Sequence, residues 1–358
     1  MGKSLITGYY GMNNYGDDLF SLLTYQAIKK YNISSDCRIL SPKLREDDNL
    51  KYSCFSFFKH GYSHLNKYGT LVRVLNILMA TRGKVDNIFF SGGSLYSRGD
   101  FSTADLMYKK KDCKFHALGV SVGPYENTAA EKKVINNLKL YSYISLRDQM
   151  SYDRVCSYNL DAKVVLAGDL AGLGVDLIEK EKKTVNKKKK IGFSPCWIND
   201  QEKMQSYVNH FYKKISCIKD KGNYQIIILC LNENLFNGDI NLCRQVEKKL
   251  KLDGFDCEIV YYTSLGVSRT WNEIRSFDFY FTVRLHGAIT AYLTETPFYL
   301  YEYHEKCTEF LKFIKYNFNI NGLNLNQDVR MDGMLSVNQY STFSKLNFIE
   351  HPYSRLIL

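Results

Sequence analysis

What the chain lacks narrows its class before anything else. No apolar run approaches the roughly 18 residues needed to span a membrane. The first strand-like run starts too early and is too polar for a signal peptide, so the expected location is cytoplasmic. The ten cysteines, at 37, 54, 113, 156, 196, 217, 230, 243, 257 and 307, contain no C-x-x-C pair. That spacing argues against a zinc site or a disulfide frame and for reduced core residues. No G-x-G-x-x-G can be read across the glycine-rich opening "LITGYYGMNNYGDDLF", which excludes the dinucleotide fingerprint. Gly11 and Gly16 have P-loop spacing, but Asp17 and Asp18 stand where that motif needs Lys and Ser/Thr, so a nucleoside triphosphate is repelled. No internal repeat is present.

The 358 residues, 45% apolar and 14% aromatic, are enough to fill two cores. The formal charge of +11 points to an anionic partner: nucleic acid, a membrane surface or a small anionic substrate. Much of it is local, because "EKEKKTVNKKKK" at 179–190 holds seven lysines without apolar period and reads as a solvated linker. Aromatic residues are not interleaved with the basic ones as single-strand binders require, so nucleic acid is not the expected partner.

Before the linker the apolar runs "KSLITGYY", "VDNIFFSGG", "KFHALGVSVGP", "YSYISLRD" and "AKVVLAGD" alternate with helical stretches. After it, "KIGFSPC", "YQIIILCL", "CEIVYY", "FYFTVR" and "PFYLYEY" repeat that alternation. Continuous apolar strands ending in glycine turns indicate parallel sheets covered on both faces. The expected fold is α/β, with two Rossmann-like doubly wound domains facing a cleft at their strand ends. The expected domains are 1–178, a basic linker 179–190, 191–322, and a C-terminal segment 323–358 packing back on the first domain.

The most informative strand end is "FYFTVRLHGAITAYL". It delivers Arg284 and His286 into a turn that opens a helix, and exposed N–H groups beside a guanidinium make an anion site. His116, inside a strand, reads as a core histidine. Together, "GYYGMNNYGDDL", "FFSGG" at 89–93, "ISLRD" at 144–148 and "RLHG" at 284–287 resemble the polysaccharide pyruvyl transferase family over roughly residues 4–315. The resemblance implies a glycosyltransferase-B-like fold. It also implies transfer of pyruvate from phosphoenolpyruvate, as co-substrate, to sugar hydroxyls of a surface glycan as a ketal; nothing in the sequence indicates a metal, and no cofactor is expected.

A trianion needs at least two cationic anchors, and the resemblance assigns Arg284 and Arg147 to phosphoenolpyruvate, with Leu285 and Gly287 of the same turn. Lys306 is a third by resemblance, although the family's aspartate two residues earlier is His304 here. His286 is the expected acid for protonating the methylene carbon, or else a phosphate ligand. Asn14, Gly16 and Asp17 match the family's N-x-G-D core. Of Asp17 and Asp18, one is expected to contact an acceptor hydroxyl as base and the other to cap the following helix. Gly92 and Gly93 permit a tight turn or close approach of the acceptor. Asp169 is left outside the site. The lysines of 179–190 are expected to help hold the enzyme near an anionic or lipid-linked acceptor at the inner face of the membrane. The rival readings are a nucleotide-sugar glycosyltransferase of the same architecture and a non-catalytic glycan- or nucleic-acid-binding protein.

Overall fold

The computed structural model describes residues 3–45, 50–53, 59–96, 104–108, 112–182, 187–316 and 334–355. Residues 183–186 of the basic run and residues 323–333 and 356–358 of the C-terminal segment lie outside them. The chain divides into two units. The first comprises Met1–Met12, Asp17–Leu177 and Tyr340–Leu358, and the second comprises Asn13–Gly16 and Ile178–Gln339.

The first unit is built on six parallel strands: β1 (Lys3–Thr7), β2 (Asp36–Ile39), β3 (Val85–Ser91), β4 (Lys114–Val120), β5 (Tyr141–Leu146) and β6 (Lys163–Leu166). Their order across the sheet is β2, β1, β3, β4, β5, β6. Leu5 of β1 sits between Arg38 of β2 and Ile88 of β3. Six consecutive residues of β4, Phe115–Val120, are buried, as a strand covered on both faces requires. β2 was not evident in the sequence: it is short, lies at the sheet edge, and buries only Cys37 and Ile39.

The helix Val337–Ile349 supplies a second departure, since the residues after about 323 read as irregular. Its buried face is largely small and polar, with Ser341, Ser344 and Asn347 beside Tyr340 and Phe348. Ser344 Oγ donates to the Asp169 carbonyl at 2.7 Å, and Asn347 Nδ2 donates to that of Gly168 at 2.8 Å. A Cβ on Gly172 would stand 2.1 Å from Ser344 Oγ, so this approach requires glycine there.

The second unit has five parallel strands: β7 (Lys189–Ser194), β8 (Tyr224–Cys230), β9 (Cys257–Tyr261), β10 (Phe279–Thr282) and β11 (Phe298–Leu300). Their order is β11, β10, β7, β8, β9. β7 begins inside the lysine run, so the stretch read as linker ends two residues earlier. Lys188 pairs with Asp256 at 2.8 Å and Lys190 with Glu273 at 3.3 Å, which neutralises part of that run locally.

Both sheets are doubly wound, and each has one place where the strand order reverses: between β1 and β3 in the first, between β7 and β10 in the second. Ligands of open α/β sheets gather outside the carboxyl ends of the strands at such points.

Candidate functional site

In the second unit, β10 ends at Thr282, and Arg284 precedes the helix Leu285–Leu293. Thr282 Oγ1 accepts from the Arg284 N–H at 3.0 Å, closing the turn. The first helical bond runs from Ala288 N–H to the Arg284 carbonyl, so the N–H groups of Leu285, His286 and Gly287 lie at the positive helix end. The Arg284 guanidinium forks onto Asp239, with Nε to Oδ2 at 2.9 Å and Nη2 to Oδ1 at 2.5 Å. Its third nitrogen, Nη1, has no hydrogen bond among the described residues.

Asp239 is fully buried. It stands before the helix Ile240–Leu252 but makes no side-chain cap bond there; it accepts instead from Trp197 N–H at 2.7 Å and from Arg284. Burial works against the charge of Arg284, but Asp239 outweighs it and holds the guanidinium above its ordinary pKa. Arg284 is therefore a fixed cation. Burial likewise pushes the Cys196 thiol up, while Arg284 and Lys306 pull the other way, so both cations act on the same thiol.

The loop segment Asn13–Gly16 belongs to this unit. Tyr15 N–H donates to the Leu231 carbonyl at 2.9 Å, and Tyr15 Oη meets Thr290 Oγ1 at 2.9 Å. A Cβ on Gly16 would lie 2.0 Å from His286 Nδ1, so the imidazole rests directly on the Gly16 backbone. Asn14 Oδ1 accepts from Gly16 N–H at 3.2 Å at the start of the helix Tyr15–Lys30. The cap assigned to an aspartate is made by Asn14.

In the first unit, Asp17 and Asp18 lie in the first turn of that helix. Asp18 is buried and accepts from Gly11 N–H at 2.6 Å, bracing the loop behind it. Asp17 is half-buried, and its Oδ1 is 3.7 Å from where a Gly93 Cβ would be. Gly92 and Gly93 both take positive φ, 70° and 76°, a turn that side chains resist; Phe20 also fills the space beside Gly92. Asp17 and this turn thus meet at the β1/β3 reversal.

Arg147 lies elsewhere on the same edge, after β5. Its Nε donates to Ser121 Oγ at 2.6 Å, Nη1 to Asp169 Oδ2 at 3.1 Å and Nη2 to Ser94 Oγ at 3.3 Å. The neighbouring Asp148 is not its partner: that carboxylate caps the helix Gln149–Cys156 through Ser151 N–H and accepts from Ser121 Oγ.

The polysaccharide pyruvyl transferase family model matches residues 14–305. The chain belongs to the polysaccharide pyruvyl transferase family. No curated protein matches it. Among solved structures it is similar to the UDP-GlcNAc 2-epimerase of Methanocaldococcus jannaschii, with TM-score 0.57, 11% identity and 87% of each chain covered. A putative UDP-N-acetylglucosamine 2-epimerase from Listeria monocytogenes gives TM-score 0.56 at 10% identity, over 87% of this chain and 82% of that one. At such identities the likeness carries the fold, which is of the glycosyltransferase-B kind.

In this pyruvyl transferase family member Lys306, one residue past the matched span, is exposed in the first turn of the helix Glu305–Phe313. His304 Nδ1 accepts from Lys306 N–H at 3.3 Å, the capping task an aspartate would perform there. Leu285 is buried, and Gly287 packs against Tyr280 Oη and Thr282 Oγ1, so these two contribute backbone rather than side chains at the turn. Two carboxylates that hold the candidate arginines were not assigned to them from the sequence. Asp239 reads in sequence only as a helix start, and Asp169 was set aside, yet each fixes one arginine.

Proposed function

We propose that the chain moves pyruvate from phosphoenolpyruvate to hydroxyls of a surface-glycan sugar, forming a pyruvate ketal and releasing phosphate. The observation that supports this reading best is the Arg284 turn. A guanidinium pinned to a buried carboxylate keeps one nitrogen available beside a helix N-terminus and an imidazole, at the reversal point of its sheet. Arg284, Lys306 and Arg147 are the cationic anchors for phosphoenolpyruvate in this reading.

In this scheme His286 gives a proton to C3, turning the methylene into a methyl and leaving oxocarbenium character at C2. A sugar hydroxyl adds at C2 and loses its proton to Asp17. The C2–O bond to phosphate then breaks, and a second hydroxyl closes the ketal as its proton leaves with the phosphate. Asp18, committed to Gly11, takes no part. Asn14, Gly16, Gly92 and Gly93 shape the backbone around the acceptor. The enzyme works in the cytoplasm, where phosphoenolpyruvate is made.

Phosphorus NMR of phosphoenolpyruvate with a panel of diol-bearing sugars tests the scheme. Phosphate release that depends on acceptor is expected. His286→Ala should cut turnover by about 100-fold or more while phosphoenolpyruvate affinity changes less than about tenfold. Asp17→Asn should slow release at unchanged affinity. Consumption of a UDP-sugar without any phosphate release from phosphoenolpyruvate would replace this reading with the glycosyltransferase one.

A further inference from the structure

The helix Lys67–Ala80 of the first unit is turned the wrong way for a helix that only serves its own core. Its buried face holds Gly69, Val72, Asn76, Ile77 and Ala80. Asn76 is buried there with neither amide atom hydrogen-bonded among the described residues. The opposite face carries Tyr68, Leu71, Leu75 and Leu78, exposed by 57, 54, 40 and 48%, and Leu65 just before the helix is 45% exposed. Scattered exposed leucines are ordinary. A stripe at positions 68, 71, 75 and 78, spaced three and four apart, is one continuous ridge about 15 Å long.

Charge decides what covers it. From Asn49 to Val85 the sequence has no Asp or Glu and six Lys or Arg residues. Lys67 stands at one end of the ridge, and Arg82 and Lys84 at the other, all exposed. Lys84 has Asp86 at 3.8 Å, but Lys67 and Arg82 have no acid in that span, so a second copy of this helix would bring those like charges together. An anionic lipid surface supplies both an apolar layer for the leucines and phosphates for the cations.

We propose that this helix lies in the surface of an anionic bilayer, with Tyr68, Leu71, Leu75 and Leu78 in the acyl boundary and Lys67, Arg82 and Lys84 on the headgroups. This places the enzyme's membrane contact in the first unit rather than in the lysine run at 179–190. It depends on no assignment of donor or acceptor.

The test is co-sedimentation of the full chain with phosphatidylcholine vesicles, with and without phosphatidylglycerol. Binding is expected only when phosphatidylglycerol is present, and it should weaken as salt rises. Leu71→Gln/Leu75→Gln/Leu78→Gln should lower binding by about tenfold or more while Tm falls by only a few degrees, because about half of each side chain is already in water. Lys182→Gln/Lys187→Gln/Lys188→Gln should change it less than about twofold. Unchanged vesicle binding in the leucine variant, or loss of binding in the lysine variant, overturns the proposal. So does a wild-type dimer that the leucine variant converts to monomer while neither binds vesicles, which would assign the ridge to a second copy. Because none of these measurements reads catalysis, their failure leaves the pyruvyl transfer reading standing.

Discussion

Two arginines stand after strand ends, one in each unit, and each is tied to a buried aspartate. Arg284 grips Asp239 with two nitrogens and keeps the third. Arg147 distributes all three among Asp169, Ser121 and Ser94. The first is bound to one carboxylate alone and has a nitrogen left over among the described residues. The second is arranged as a hub, and a ligand that takes its guanidinium must displace a serine. Position agrees with this contrast, since Arg284 follows a strand at its sheet's reversal and Arg147 follows one two places away from it.

The sharpest way to break the comparison is to remove the two carboxylate charges in turn. Asp239→Asn should cost about 3–5 kcal/mol, because a buried guanidinium is left uncompensated. Asp169→Asn should cost about 1–2 kcal/mol, since Arg147 keeps two serines and the amide can still accept from Ala171 N–H. Urea unfolding of the two variants checks the order, and equal losses would end the distinction.

Kinetics sharpen it next. Arg284→Lys keeps the charge but loses the fork on Asp239, and kcat/KM should fall about 100-fold, or about 3 kcal/mol. Arg147→Lys should fall by about tenfold, mostly in KM for phosphoenolpyruvate. Wild-type kinetics in Arg284→Lys would reduce that residue to a long-range charge.

The comparison extends to pH, away from both arginines. In the first unit His116 and His351 are buried in contact, Nδ1 to Nε2 at 3.2 Å, with Asn87 and Ser142 on the other bonds of His116 and the Phe89, Tyr143 and Tyr353 rings around the pair. Burial, then His351 and Lys114, hold His116 well below its usual range; burial and then Lys163, itself paired with Glu350, bring His351 down to about 4. Both folded pKa values are lowered, so the unfolded chain binds more protons. The stabilisation is complete above about pH 6.5 and fades as pH falls toward 4, by about 3 kcal/mol from His351. Denaturant midpoints from pH 7 to 4.5 should drop for wild type and flatten in His351→Gln.

Every strand expected from a continuous apolar run is present, because a parallel strand covered on both faces writes its burial into consecutive residues. β2 and the helix Val337–Ile349 escaped because their burial is carried by a short edge and by serines and an asparagine. Of the candidate site, one turn was legible in a similar way. Arg284 and His286 announce themselves as polar residues interrupting an apolar strand-to-helix run. Their supports do not, since Asp239 lies 45 residues from Arg284 and Asp169 lies 22 from Arg147, separations set by topology alone. The aspartate cap was misassigned for a local reason: the helix begins at Tyr15, two residues before the first aspartate.

The helix Val337–Ile349 has a further meaning once synthesis is considered. The loop that holds Asp169 is made early but is buttressed by Ser344 and Asn347, which leave the ribosome about 175 residues later. At 5–20 residues per second this is a delay on the order of ten seconds or more, during which the first-made half stays incomplete and the second half has already emerged. The order of translation and the order of completion are therefore reversed: the unit begun first is closed last, by the end of the chain.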